Sequence, residues 1–153
     1  MIDTISPEAA AAGPVDLQKA KRRKQETAAP LKLDRLPPHS LQAEQGVLGC
    51  VLLSPGECLG QCIEKFKGQS AVFYDLRHRT IYELLVEMYD HKEPIDMLTV
   101  LQRLKDKQQL DSVGGPAYVS SLPDAVPSAA NLGYYADIAW EKYILRKMIT
   151  HAR

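Results

Sequence analysis

The residues whose types and spacing could carry chemistry fall into three small groups. Gly114 and Gly115, in LDSVGGPAYVSSL, stand ahead of a helical stretch, the arrangement in which backbone amides cradle a phosphate. A nucleotide loop of the form G-x-x-x-x-G-K-[ST] needs lysine after glycine to neutralise the phosphates. No glycine here is followed by lysine. The dinucleotide fingerprint needs a parallel strand before its glycines, whereas these follow the helical KDKQQLDSV. The pair therefore reads as a tight turn, with Pro116 at the first helical position, where its missing amide proton costs nothing.

Cys58 and Cys62 are four apart, which puts both sulfurs on one helical face, within reach of Cys50. Structural zinc sites use two close pairs, and no second pair completes one here, so the thiols read as small buried hydrophobes. The histidines, His39, His78, His91 and His151, adjoin no Ser, Cys or carboxylate in a catalytic pattern, which leaves hydrolase chemistry without support. His78 is expected half-buried against the second helix.

Two basic groups could meet phosphate. Lys19, Lys21, Arg22, Arg23 and Lys24, in KAKRRK, are candidate nucleic-acid contacts, with a plain solvated tail as the alternative. Arg77 and Arg79 flank His78 at a helix start, where facing water or the carboxylate of Asp75 is the simpler role. The whole chain has no electrostatic footprint for a polyanion, since 19 basic and 19 acidic residues give zero net charge.

The elements that must position these groups are helices. The 153 residues suit one domain with its own core. No apolar run nears the roughly 20 residues that span a bilayer, so no membrane association is expected. Three cysteines and no apolar leader point to a reducing, cytoplasmic setting. Residues 1–35 are rich in Ala, Pro and charge and read as a flexible basic arm. Beyond them every proline falls between apolar-periodic segments, as expected of an all-α chain.

Ser40 caps a first helix, LQAEQGVLGCVLLS, with Leu41, Val47, Leu48, Val51 and Leu52 on one side. Gly46 and Gly49 within it each cost about 1 kcal/mol relative to Ala, which implies close approach of another backbone. ECLGQCIEKF follows an SPG turn, and DLRHRTIYELLVEMYDHK presents Leu76, Ile81, Leu84, Leu85 and Met88. Asp96 caps MLTVLQRLKDKQ, whose buried stripe is expected at Met97, Leu98, Leu101 and Leu104, with Arg103, Lys105 and Lys107 toward solvent. A short helix spans Pro116 to Leu122. Ser128 then caps a last helix to Arg153, with Leu132, Tyr135, Ala139 and Tyr143 on one side and Tyr134, Ile138, Leu145 and Ile149 on a neighbouring one. So wide an apolar surface wants two neighbours.

Taken in order, LPPHSLQAEQGVLGCVLLS, FYDLRHRTIYELLVEMY, EPIDMLTVLQRL, QLDSVGGPAYVSSL and VPSAANLGYYADIAWEKYILRKMI resemble the N-terminal domain of bacterial and phage replicative DNA helicases of the DnaB family. The resemblance runs from Leu36 to Arg153. It implies a compact, orthogonal multi-helix bundle: a globular head over residues 36–127 and, over 128–153, a long C-terminal helix that begins a helical hairpin. It also implies a noncatalytic role, with no cofactor or metal in this chain. Such a domain forms the collar of a hexameric ring, pairs with a neighbouring subunit through its hairpin, and docks primase or a helicase loader. ATP, magnesium and DNA would belong to a motor domain further along the chain.

Three features depart from the family pattern. Cys50 stands where a second small glycine is common, the arm is long, and Trp140 replaces a frequent charge and is expected to be exposed as a specific contact. The expected protein interface comprises Tyr134, Ile138, Trp140, Tyr143, Leu145, Met148 and Ile149, because large apolar residues are enriched at interface cores. Two rival readings remain: a nucleic-acid-binding module acting through the basic arm, and a freestanding adaptor sharing the collar fold.

Overall fold

The structure, a computed structural model, describes residues 36–152, so the basic run Lys19–Lys24 lies outside the described residues. Within them the chain forms six α-helices and no strand. Helix α1 (Leu41–Leu53) starts where the Ser40 hydroxyl accepts from the Ala43 amide at 3.1 Å, satisfying one of the orphan donors of the first turn. Helix α2 (Pro55–Phe66) begins directly at its proline. The expected SPG turn is instead the first turn of α2, because proline's φ suits that position and its lack of an amide donor is harmless there. Lys67 and Gly68, both at positive φ, then reverse the chain into a 3₁₀ turn at Ser70–Val72.

Helix α3 (Leu76–Asp90) is capped by Asp75, which accepts from the Arg77 amide at 2.8 Å. Helix α4 (Met97–Asp106) carries a reciprocal cap between Asp96 and Thr99, with bonds of 2.9 and 3.0 Å. Gly114 and Gly115, at φ of 109° and 83°, make the expected turn into α5 (Gly115–Ser121), and the Gly115 amide donates to the Leu110 carbonyl. The left-handed conformation of both is one that a side chain would strain. Two 3₁₀ turns follow, Pro123–Ala125 and Ala129–Asn131. The Ser128 hydroxyl caps the second by accepting from Ala130, and the chain runs on into α6 (Leu132–Ala152).

Helix α1 lies at the centre, packed by α2, α3, α6 and the last two 3₁₀ turns. Its Val47, Leu48 and Val51 meet Leu59 and Phe66 of α2 and Ile81, Leu84, Leu85 and Met88 of α3 in one core. Rings of Phe66, Phe73 and Tyr82 interlock at centroid distances of 4.9 to 6.1 Å, the edge-to-face and tilted range that aromatic quadrupoles favour. The glycines of α1 divide. A Cβ on Gly49 would strike the backbone carbonyl of Leu122, the close backbone approach the sequence implies, whereas Gly46 makes room for the ring of Tyr135.

Two apolar stripes differ from expectation. In α4 the buried residues are Val100 and Leu104, while Leu98 is 77% exposed. This short helix packs against α3 and α5, with Met97 and Leu101 half-buried against the core beside Val100 and Leu104, so of the expected stripe only Leu98 points away. Leu76 is also exposed, because the start of α3 turns His78 and Ile81 rather than Leu76 toward the interior. Arg103 and Lys107, expected toward solvent, reach back to α3 and the link after it: Arg103 pairs with Glu87 of α3 and with Glu93 beyond its end, and Lys107 with Glu87 at 2.7 Å. No helix among the described residues is long and apolar enough to cross a membrane.

Candidate functional site

Helix α6 has two apolar faces, and among the described residues only one of them is buried. Leu132, Ala136, Ala139 and Tyr143 are buried against the head. Tyr134 (67% exposed), Met148 (59%), Ile149 (46%) and Leu145 (40%) look the other way. At 3.6 residues per turn the two sets are about 160° apart, so they are opposite faces rather than the neighbouring ones expected. Tyr134, Ile138, Leu145 and Met148, with Glu141 between, follow the alternating three- and four-residue spacing of a seam that packs against another helix. Ile138 is half-buried and, with Tyr134, Tyr135, Gln42 and Gln45, lines a groove of about 380 Å³ where α6 meets the start of α1. Ile144, outside the expected interface set, is also exposed beside this face.

Two expected interface residues belong elsewhere. Tyr143 is 8% exposed and part of the core. Trp140 is half-buried: its ring stacks on Phe66 at 6.3 Å and 11°, lies 5.4 Å from the Tyr143 ring, and has the Lys67 ammonium over it. Both sit on the head-facing flank of α6, which the period of the sequence pattern could not distinguish from the bare one. Beside this apolar packing, Arg146 ties the helix to the head: its guanidinium donates to the carbonyls of Pro38, Ala71 and Val72, each at 2.9 Å. Burial draws its pKa below the ordinary arginine value, and the three carbonyl dipoles hold the charge in place.

A second polar assembly, inside the head, was invisible in the sequence. Glu44 on α1 is 1% exposed and His78 on α3 fully buried. The Glu44 carboxylate accepts from the amides of Tyr74 (2.7 Å) and Asp75 (3.2 Å) and bonds His78 Nδ1 at 2.8 Å. His78 Nε2 lies 2.5 Å from the Tyr118 hydroxyl, which accepts from Gln45. Nδ1 thus faces the Glu44 carboxylate as a donor, and Nε2 shares a hydrogen bond with the Tyr118 hydroxyl. His78 thus packs against α1 and α5 at full burial, not half-buried against α2. With Glu44 and His78 buried and Tyr118 half-buried over them, this set joins three elements of the head.

Arg77 and Arg79 are consumed locally. Arg77 forms a forked pair with Asp75 and lies 4.4 Å over the Tyr118 ring, and Arg79 donates to the Phe73 carbonyl. The three cysteines are buried and reduced. Burial pushes the Cys50 thiol up to about 11 and that of Cys62 up to about 12, and raises that of Cys58, so all remain protonated packing groups. Cys50 fits its site because its thiol donates to the Ser128 carbonyl at 3.6 Å.

The order of these elements and the bare face of α6 can be set beside known proteins. The profile of the family described as "DnaB-like helicase N terminal domain" matches residues 36–141. The chain belongs to that family. Among curated DnaB relatives, a replicative DNA helicase DnaB from Geobacillus stearothermophilus is 42% identical over 119 residues, which are 78% of this chain and 26% of the relative. The replicative DNA helicase DnaB of Leifsonia xyli is 40% identical over 116 residues, 76% of this chain and 25% of that protein. The chain thus spans about a quarter of the length of the curated relatives it matches. The crystal structure of the N-terminal domain of DnaB helicase from Mycobacterium tuberculosis matches with a TM-score of 0.70 at 37% identity, over 75% of this chain and 78% of that one. The DnaB match begins at residue 36.

Proposed function

We propose that this DnaB-family domain is the noncatalytic collar of a replicative DNA helicase. In this reading it assembles subunits into dimers and a hexamer, and it docks primase or a helicase loader during DNA replication. ATP hydrolysis, magnesium binding and the grip on DNA belong to a motor domain of the full-length parent, and no cofactor is assigned to this chain. The work is done by helix packing. The observation that carries the reading is the apolar seam of α6, opposite its core face and covered by nothing within the described residues. A soluble surface rarely keeps Tyr, Leu, Met and Ile contiguous unless another protein surface covers them.

The seam is tested by Ile149→Glu, which places a charge where a partner helix would pack. Sedimentation velocity over a range of concentrations should show weakened self-association, while the helical circular dichroism and melting temperature stay unchanged. Equal association of the variant and the parent chain would remove α6 from the assembly interface.

A further inference from the structure

Burial along α6 stops at Tyr143. From Ile144 to Thr150 every residue is exposed except Arg146, which is half-buried, so these last turns of the helix meet the head through one side chain. They carry Leu145, Met148 and Ile149, the far end of the bare seam. The nearer half of α6 is held by Leu132, Ala136, Ala139 and Tyr143. Two of these are alanines, and a Cβ on Gly133 beside them would meet nothing within 4 Å. Small side chains bring a helix close to its neighbour but offer few knobs to stop it from tilting or rolling.

Length turns a small tilt into a large displacement. Ile149 stands ten residues beyond Ala139, about 15 Å along the axis. A tilt of about 10° at Ala139 carries Ile149 roughly 2.6 Å sideways, about half of one helical pitch. That is enough to take its side chain out of register with the hole that receives it on another helix.

The acceptors of Arg146 oppose such a motion. One terminal nitrogen donates to the Pro38 carbonyl, ahead of α1, and the other to the carbonyls of Ala71 and Val72, in the 3₁₀ turn between α2 and α3, each at 2.9 Å. The planar guanidinium grips two separate segments at once, which fixes its plane as well as its position. It also lies 5.5 Å from the Tyr74 ring and 5.7 Å from the Tyr143 ring, and Tyr74 is stacked in turn on His39 at 4.3 Å.

We propose that Arg146 is a positioning residue: it clamps the tilt and roll of the distal half of α6 and so presents Leu145, Met148 and Ile149 to a partner in one fixed orientation. The role rests on the reading of the seam as an assembly surface, and Arg146 acts through the seam residues rather than on the partner. Lysine keeps the charge but is a point donor on a flexible stem, so it does not bridge both segments in one plane.

The test uses the whole chain with Arg146→Lys, and with Lys147→Met as the control that removes the neighbouring exposed charge. Amide residual dipolar couplings, measured at concentrations where the chain is monomeric, report orientation. In Arg146→Lys the couplings from Ile144 to Thr150 should depart from the alignment tensor of the head, while those from Leu132 to Tyr143 keep to it. Self-association in sedimentation velocity should weaken at least fivefold, and Lys147→Met should change neither readout. An arginine that only stabilised the fold would lower the melting temperature and leave couplings and association in place, which would overturn the clamp. So would equal effects of the two variants, or association weakened by Ile149→Glu and not by Arg146→Lys. Displaced couplings with association unmoved by both Arg146→Lys and Ile149→Glu would uphold the clamp and remove the assembly reading alone.

Discussion

Helices α1 and α6 are both apolar around much of their circumference, and the fold treats them in opposite ways. Helix α1 is surrounded: from Ala43 to Val51 every residue is buried or half-buried, and its exposed leucines, Leu41 and Leu53, are at its two ends. Helix α6 is covered along Leu132, Ala136, Ala139 and Tyr143 and bare along Tyr134, Leu145, Met148 and Ile149. The residue sizes explain the division. Glycines at 46 and 49 let the Tyr135 ring and the Leu122 backbone come down onto α1, so neighbours within the chain can seal it. The outer face of α6 carries long, protruding side chains that hold intrachain elements off and suit insertion into another helix surface. An apolar circumference therefore has two physical solutions, enclosure by the same chain or sharing with a second one.

The contrast makes α1 the place where substitutions cost stability. The largest loss is expected from Glu44→Leu, which removes the acceptor of the half-buried Tyr74 and Asp75 amides and the partner of the buried His78 Nδ1. At roughly 1–3 kcal/mol per unpaired group, partly relieved by relaxation, urea unfolding should register a loss of about 3–5 kcal/mol. A loss under about 1 kcal/mol would mean that water reaches the network and that α1 is not sealed.

Glycine substitutions sharpen the same comparison at a smaller scale. Gly49→Ala drives a methyl group into the Leu122 carbonyl and should cost about 1–3 kcal/mol. Gly133→Ala, near the start of α6, meets nothing within 4 Å and should be neutral or stabilising by up to about 1 kcal/mol through helix propensity. Thermal unfolding of the two variants side by side reads the difference, and equal effects would dissolve it.

The smallest effect is electrostatic and lies where α3 begins beneath α1. The Arg77 hydrogen bond holds the Asp75 carboxyl below the usual carboxylate range. A carboxylate with a depressed folded pKa adds stability that is present above its unfolded value of about 3.9 and is lost as pH falls from there through the folded value. The pair is partly exposed, at 15% and 38% for the two side chains, so solvent screening keeps the contribution under about 1 kcal/mol. Asp75→Asn should flatten the acid limb of the stability–pH curve by that amount, and an unchanged limb would show that the pair does not contribute.

Much of the fold was legible because it rests on interactions within four residues. Ser40, Asp75, Asp96 and Ser128 each cap the helical turn that begins beside them, the prolines stand at helix starts or between helices, and Gly114 with Gly115 turns the chain at positive φ. The exposed seam was legible in part: spacing grouped Tyr134, Ile138, Leu145 and Ile149 correctly. It could not tell that Tyr143 and Trp140 lie on the flank the head covers. The Glu44–His78–Tyr118 set left no local signature, because its members are 34 and 40 residues apart and each alone is an ordinary helical residue.

The sequence by itself determined the all-α character, most of the helix caps, the burial of the thiols and the excess of apolar surface on the last helix. These come from backbone capping, fixed dihedrals and side-chain period, all of which act locally. Only the tertiary structure decided which faces are covered: Leu98 and Leu76 outward, Tyr143 inward, His78 sealed between α1 and α5, and the Tyr82 hydroxyl left without a hydrogen-bond partner among the described residues. A helical period states which residues share a face, but whether that face meets a neighbour depends on elements distant in the chain, and their arrival is settled by packing of the whole core.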